Sequence, residues 1–248
     1  MTSRTLLNMW DPERNYIIRA HEFYVEQAEK RILSQFNNLD DEVEQIAQEI
    51  YDKSGAYFNP DYDDPGDYVE AAYEKAQDHI MLLCEMRDQT LFSIIAGMYH
   101  QFDKTLRGWL ERESRYWAGD KVKEQLWKVD IGKLYKLFED FGWDITKEPF
   151  FRYLDACRLI VNVYKHGKGK ALIELRKEFP EYFYDFNDES LNIDGWYDHY
   201  SIRISDEQFK MISKAVIDFW NAIPERIIDT DDLNVPQWLL DALKAENK

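Results

Sequence analysis

The sequence predicts an all-α protein, an up-and-down helical bundle with a long central helix or a kinked helix pair. Three observations carry this expectation. Glycine and proline are scarce, with 10 Gly and 7 Pro in 248 residues, too few for the turns of a sandwich or barrel. Apolar residues recur at spacings of three and four over long stretches, the period of one helix face. A 45% hydrophobic content with 8 Trp, 16 Tyr and 14 Phe supplies a packed core despite the charge.

Asp11-Pro12-Glu13 opens the first helix, since proline in the first turn lacks only an N–H that would go unused. Tyr16, Ile17, Ala20, Tyr24, Ala28, Ile32 and Phe36 then form one stripe. After a break at 37–40, Asp40 or Asp41 caps a second helix bearing Val43, Ile46, Ala47 and Ile50. Residues 54–66 read as an exposed acidic loop. From Asp67 to about Trp117 the pattern is continuously helical. So long a run predicts a kink or break near Arg87-Asp88 or Gly97.

A shorter helix spans roughly Gly132 to Phe141. Thr146 to Pro149 opens another that runs to His166 and stops at Gly167-Lys168-Gly169, and a third covers Lys170 to Phe179. The 182–200 connection has no assignable pattern, and Tyr200 to Ile204 alternates like a short strand. Ser205-Asp-Glu-Gln208 is a capping box ahead of Phe209, Ile212, Val216 and Phe219. A last turn starts at Pro236. The expected organisation is one helical domain over 1–248, with a core at 67–222. A helical pair at 12–53 packs on that core, and 223–248 is an extension.

Lys+Arg total 31 against 48 Asp+Glu, a net charge of −17. That excludes a general electrostatic grip on nucleic acid or on an anionic membrane. No P-loop, dinucleotide fingerprint, G-x-S-x-G or H-E-x-x-H is present. Cys84 and Cys157 lie in apolar stretches with no ligand-spaced partner, so they read as buried free thiols and imply neither metal nor disulfide. No cofactor is expected. The N-terminal residues lack a signal-peptide core, and no apolar run reaches membrane-spanning length, so the expected location is the cytoplasm.

Two groups of residues could carry chemistry. His21, His79 and His199 read as surface or core filler. His100, Asp103 and Arg107 share one helical face, where a carboxylate could orient a histidine base. On the later helix, Arg158, Asn162, Lys165 and His166 form a polar stripe between Leu159, Ile160, Val161 and Val163. Buried without partners such a stripe is costly, so it must face water, carboxylates, a second copy or a ligand. An ordinary exposed stripe ending in a glycine cap also fits these residues, with Lys165 and His166 set well against the helix dipole.

The run Arg158-x-x-x-Asn162-x-x-Lys165-His166-Gly167-x-Gly169, followed by a short helix and Phe179-Pro180-Glu181-Tyr182-Phe183, resembles helical proteins of the HEPN superfamily. Many of those are abortive-infection or toxin components of bacterial defence. Tyr99 to Trp109 is similar to a helix that packs beside the motif in the same group. The resemblance spans about Leu82 to Pro224. It implies an all-α bundle, often a homodimer, in which Arg and His of two copies meet in a cleft that cuts RNA without metal. Arg158 would then hold the scissile phosphate and His166 transfer a proton, with Asn162 orienting them. Lys165, Lys168 and Lys170 would bind substrate, supported by His100, Asp103 and Arg107.

The spacing departs from the family pattern. Arg158 stands eight residues before His166 where five to seven is usual, and Leu159 occupies a position usually polar. Members with altered motifs commonly serve as non-catalytic modules. Two expectations therefore stand side by side. One is a metal-independent endoribonuclease of phage defence with an RNA substrate. The other is a non-catalytic module that binds a protein partner of a defence or regulatory complex.

Overall fold

A computed structural model describes residues 4–183, 198–230 and 233–246. Nine α-helices and one small two-stranded sheet lie within them, so the all-α expectation holds. The chain forms two compact units, residues 1–25 with 95–248, and residues 26–94.

In the larger unit, strand β1 (Thr5–Asn8) runs antiparallel to β2 (Arg226–Ile228), with Leu7 opposite Ile227 and Asn8 opposite Arg226. The Trp117 indole N–H donates to the Leu6 carbonyl at 2.7 Å, and the Asn8 N–H donates to Glu113 at 3.0 Å. Runs of four and three residues are too short to register as alternation, so the sequence hides both strands.

Helix α1 (Asp11–Arg31) starts at the expected Asp-Pro signal, but ends earlier than the stripe suggested, in a 3₁₀ turn at Leu33–Phe36. Within the larger unit its His21 bonds Ser213 of helix α8 (Asp206–Ala222). The imidazole Nε2 lies 2.9 Å from the Ser213 hydroxyl and 3.1 Å from its carbonyl. The predicted capping box at the start of α8 is present. The Gln208 N–H donates to Ser205 Oγ at 3.1 Å, and Gln208 Oε1 accepts from the Ser205 N–H at 2.8 Å.

Helix α3 (Pro65–Ser114) is one uninterrupted helix of 50 residues, where a kink was expected. Gly97 instead makes room: a Cβ there would run into the Tyr24 hydroxyl of α1. Helix α4 (Asp120–Lys128), unmarked in the sequence, packs on α9 (Gln237–Glu246). Glu246 supplies the cap that α4 lacks locally, accepting from the Gly119 N–H at 2.8 Å and the Val122 N–H at 3.0 Å.

Helix α5 (Ile131–Asp140) begins at the N-cap Asp130. Helix α6 (Phe151–His166) packs against α7 (Lys170–Glu178) and α8. The core of this unit is aromatic: Phe102 meets Phe219 edge-to-face at 5.0 Å, and Trp109 stacks on Phe138 at 6.3 Å. In place of the strand expected at 200–204, a 3₁₀ turn at His199–Ser201 precedes a single bridge between Ile202 and Phe183. Most of the 182–200 connection lies outside the described residues.

In the smaller unit, α2 (Leu39–Ser54) has Asn38, in the left-handed region (φ 67°), at its N-cap position, ahead of the expected Asp40 or Asp41. Several of the unit's buried side chains are small, Ala28, Ala47, Ala72 and Ala76 among them. The acidic loop turns on side-chain contacts: Asn59 Oδ1 accepts from the Asp61 N–H, and Asp64 Oδ1 from the Gly66 N–H. Cys84 is exposed in this unit, contrary to the buried-thiol expectation, whereas Cys157 is buried in the larger one. No helix among the described residues is long and apolar enough to cross a membrane.

Candidate functional site: the α6 cleft and the α6–α7 knuckle

Seven apolar residues of α6 are buried, among them Leu154, Cys157, Leu159, Ile160 and Val163, so this helix is central to its unit. The polar stripe is its one interrupted side. The helix stops because Gly167 takes φ 68°, donating its N–H to the Val163 carbonyl at 2.7 Å. Three residues later α7 begins. The chain therefore makes a tight knuckle, and the stripe divides between two environments.

The first environment is a cleft of about 550 Å³ between α3, α5 and α6. It gathers Arg158 and Asn162 with His100, Asp103 and Arg107, so five of the sequence-predicted residues do meet. Arg107 is 7% exposed and engaged through its Nε and Nη1. Its Nε donates to both Asp103 oxygens at 2.9 Å, and its Nη1 donates to the carbonyls of Leu126 at 2.6 Å and Val129 at 2.8 Å. Those carbonyls belong to the end of α4, where the last turn leaves acceptors without helical partners. Arg107 is thus a cap for α4 rather than a free ligand group.

Arg158 is half-buried and also spoken for. Its Nε donates to Asp155 Oδ1 at 2.7 Å and its Nη2 to Glu174 Oε1 of α7 at 3.0 Å. Burial alone would lower its pKa, but the two carboxylates outweigh that and raise it. Tyr99 and Tyr135 complete the floor, and desolvation pushes both phenols well above their ordinary range, so each stays neutral. Tyr135 meets Phe151 edge-to-face at 5.6 Å, and its buried hydroxyl has no hydrogen-bond partner among the described residues.

The second environment is the knuckle. Lys165, His166, Lys168 and Lys170 are all exposed there, and none lines the cleft. Among the described residues none of the four makes an ion pair. Arg158 and His166, paired in the sequence reading, are therefore parted: one is folded into the cleft among carboxylates, the other stands at the helix end. No group of three or more His, Cys, Asp or Glu side chains among the described residues is placed to hold a metal ion.

Asp155, Glu174, Asp130 and Tyr135 were not singled out by sequence. Asp155 sits three residues before Arg158, a helical ion-pair spacing that could have marked it. Tyr135 shares an apolar face with Ile131, Leu134 and Phe138, which reads simply as core. Comparison with protein-family models, curated proteins and solved structures finds no match to this chain.

Proposed function

We propose that this chain is a non-catalytic helical binding module of a defence or regulatory complex, and that its knuckle meets an anionic face of a partner protein. One observation carries the reading. In a chain of net charge −17, Lys165, His166, Lys168 and Lys170 stand exposed and unpaired among the described residues, while Arg158 is held by Asp155 and Glu174. A phosphate reaching Arg158 would compete with two carboxylates already bonded to it, and would enter a cleft lined by four carboxylates against two guanidinium groups and one ammonium. The likeness of 158–169 to the HEPN motif fits a module as well as an enzyme, because its Arg–His spacing departs from the catalytic pattern.

The same knuckle favours a second reading, a metal-independent endoribonuclease assembled from two copies, with a basic edge for RNA and His166 as the proton carrier. Incubating single-stranded RNA with the purified protein in EDTA separates the two. The module reading expects the RNA to stay intact. Cleavage that persists in EDTA, and is lost in both Arg158→Ala and His166→Ala, would overturn it in favour of the ribonuclease.

A further inference from the structure

We propose that the α3–α5–α6 cleft is a binding site for a small organic cation, a protonated primary amine on a short alkyl chain. This goes beyond the knuckle reading and does not depend on it. Three features of the cleft point the same way.

The first is an unmet hydrogen bond. The Tyr135 side chain is 5% exposed, lines the cleft, and leaves its hydroxyl without a partner. Such a group is rare in a buried setting and marks a place where a ligand atom completes the bonding. Its electrostatic neighbours are Tyr99, Asp155 and Asp103, which line the same cleft, and the buried Cys157, which does not.

The second feature is charge. Four acids line the cleft, Asp103, Asp130, Glu139 and Asp155, against the cations Arg107, Lys136 and Arg158, with the imidazole of His100 beside them. Each of the three cations is already bonded to at least one carboxylate. Asp130 has no such pair: one oxygen accepts from the Lys133 N–H as a helix cap, and its charge is not neutralised. The excess is negative, and the whole chain deepens it.

The third is shape. The acids are not grouped as a metal-holding set, so an ion needing several ligands on one centre is poorly served. An ammonium carries three N–H donors that can reach separate acceptors, a carboxylate and the Tyr135 oxygen among them. Tyr99, Ile131 and Phe151 offer apolar and aromatic surface for the alkyl body and for cation–π contact. The volume suits a small molecule.

The test uses n-butylammonium and, as its charge-reversed match, butyrate, each titrated into the full chain while backbone amide shifts are followed by NMR. Butylammonium is expected to saturate, with shifts confined to α3, α5 and α6. Tyr135→Phe and Asp130→Asn should each weaken binding by about tenfold, the loss of roughly one charge-assisted contact. Both variants should fold: the first removes an unbonded hydroxyl, and the second keeps an N-cap residue. Binding of butyrate instead, shifts spread over the whole acidic surface, unchanged affinity in both variants, or no saturation at tens of millimolar would each overturn the proposal.

Discussion

Arg107 in the cleft wall and Lys168 on the knuckle are both cations, yet their surroundings have almost nothing in common. Arg107 is buried, with an acid on one side and two backbone carbonyls on the other. Lys168 is exposed and makes no ion pair among the described residues. A guanidinium can be consumed entirely by the fold, because its donors fork in fixed directions that match carboxylates and helix-end carbonyls. An ammonium on a glycine-flanked turn has no such set of acceptors and stays available to a partner. Polar residues on one face therefore need not share a role: Arg158 and His166 lie on one stripe of α6, and only the first is bonded within the fold.

This contrast can be broken most sharply at Arg107. Arg107→Ala strands Asp103 and two helix-end carbonyls, and about 3–5 kcal/mol of stability should be lost, the range for breaking a buried pair. Denaturant unfolding measures it, and a loss under about 1 kcal/mol, well below that range, would show the cap to be dispensable. Ile160→Ala, on the buried side of α6, should cost about 2–5 kcal/mol by cavity formation. A smaller loss would place α6 at the margin of its unit.

His21 gives a pH-dependent version of the same lesson. Burial holds its pKa down at about 4, against an ordinary 6.5, while the bond to Ser213 opposes that shift only in part. The unfolded chain therefore takes up the proton first as pH falls. Stability should be undiminished above about pH 6.5, decline between 6.5 and 4, and level off below, with about 3 kcal/mol lost over the window. His21→Gln should remove that component when unfolding curves of the two proteins are compared at pH 7 and 4.5. Parallel losses in both would assign the acid sensitivity to carboxylates instead. At the knuckle the expected effect on stability is the smallest. Lys165→Ala, Lys168→Ala and Lys170→Ala should each stay within about 0.5 kcal/mol, as exposed unpaired residues do.

Much of this was legible in the sequence where a signal is local. The capping box at Ser205, the glycine stop after His166 and the apolar body of α6 all depend on residues within a few positions of one another. The helical faces of His100, Asp103 and Arg107 and of Arg158 and Asn162 were also legible, although His166, expected beside the latter two, does not line their cleft. What could not be read depends on distant backbone. Arg107 is fixed by carbonyls 19 and 22 residues away, which carry no side-chain signature. Helix α4 is capped by Glu246, more than a hundred residues on. The expected break in α3 is not found: Gly97 lies inside a continuous helix and makes room for Tyr24, a purpose that its helix-weakening propensity conceals. Arg158 is engaged by Asp155 and Glu174, two ordinary acids among 48.

The most direct test of the parting of Arg158 from His166 compares binding of a labelled polyglutamate peptide across three proteins at several salt concentrations. These are the wild type, the knuckle variant Lys165→Ala/Lys168→Ala/Lys170→Ala, and Arg158→Ala. With the knuckle as the contact surface, affinity should fall with added salt. It should drop about tenfold or more in the knuckle variant, equivalent to roughly 1.4 kcal/mol, and change little in Arg158→Ala. Loss of binding in Arg158→Ala with the knuckle variant unaffected would contradict the account and return the recognising cation to the cleft.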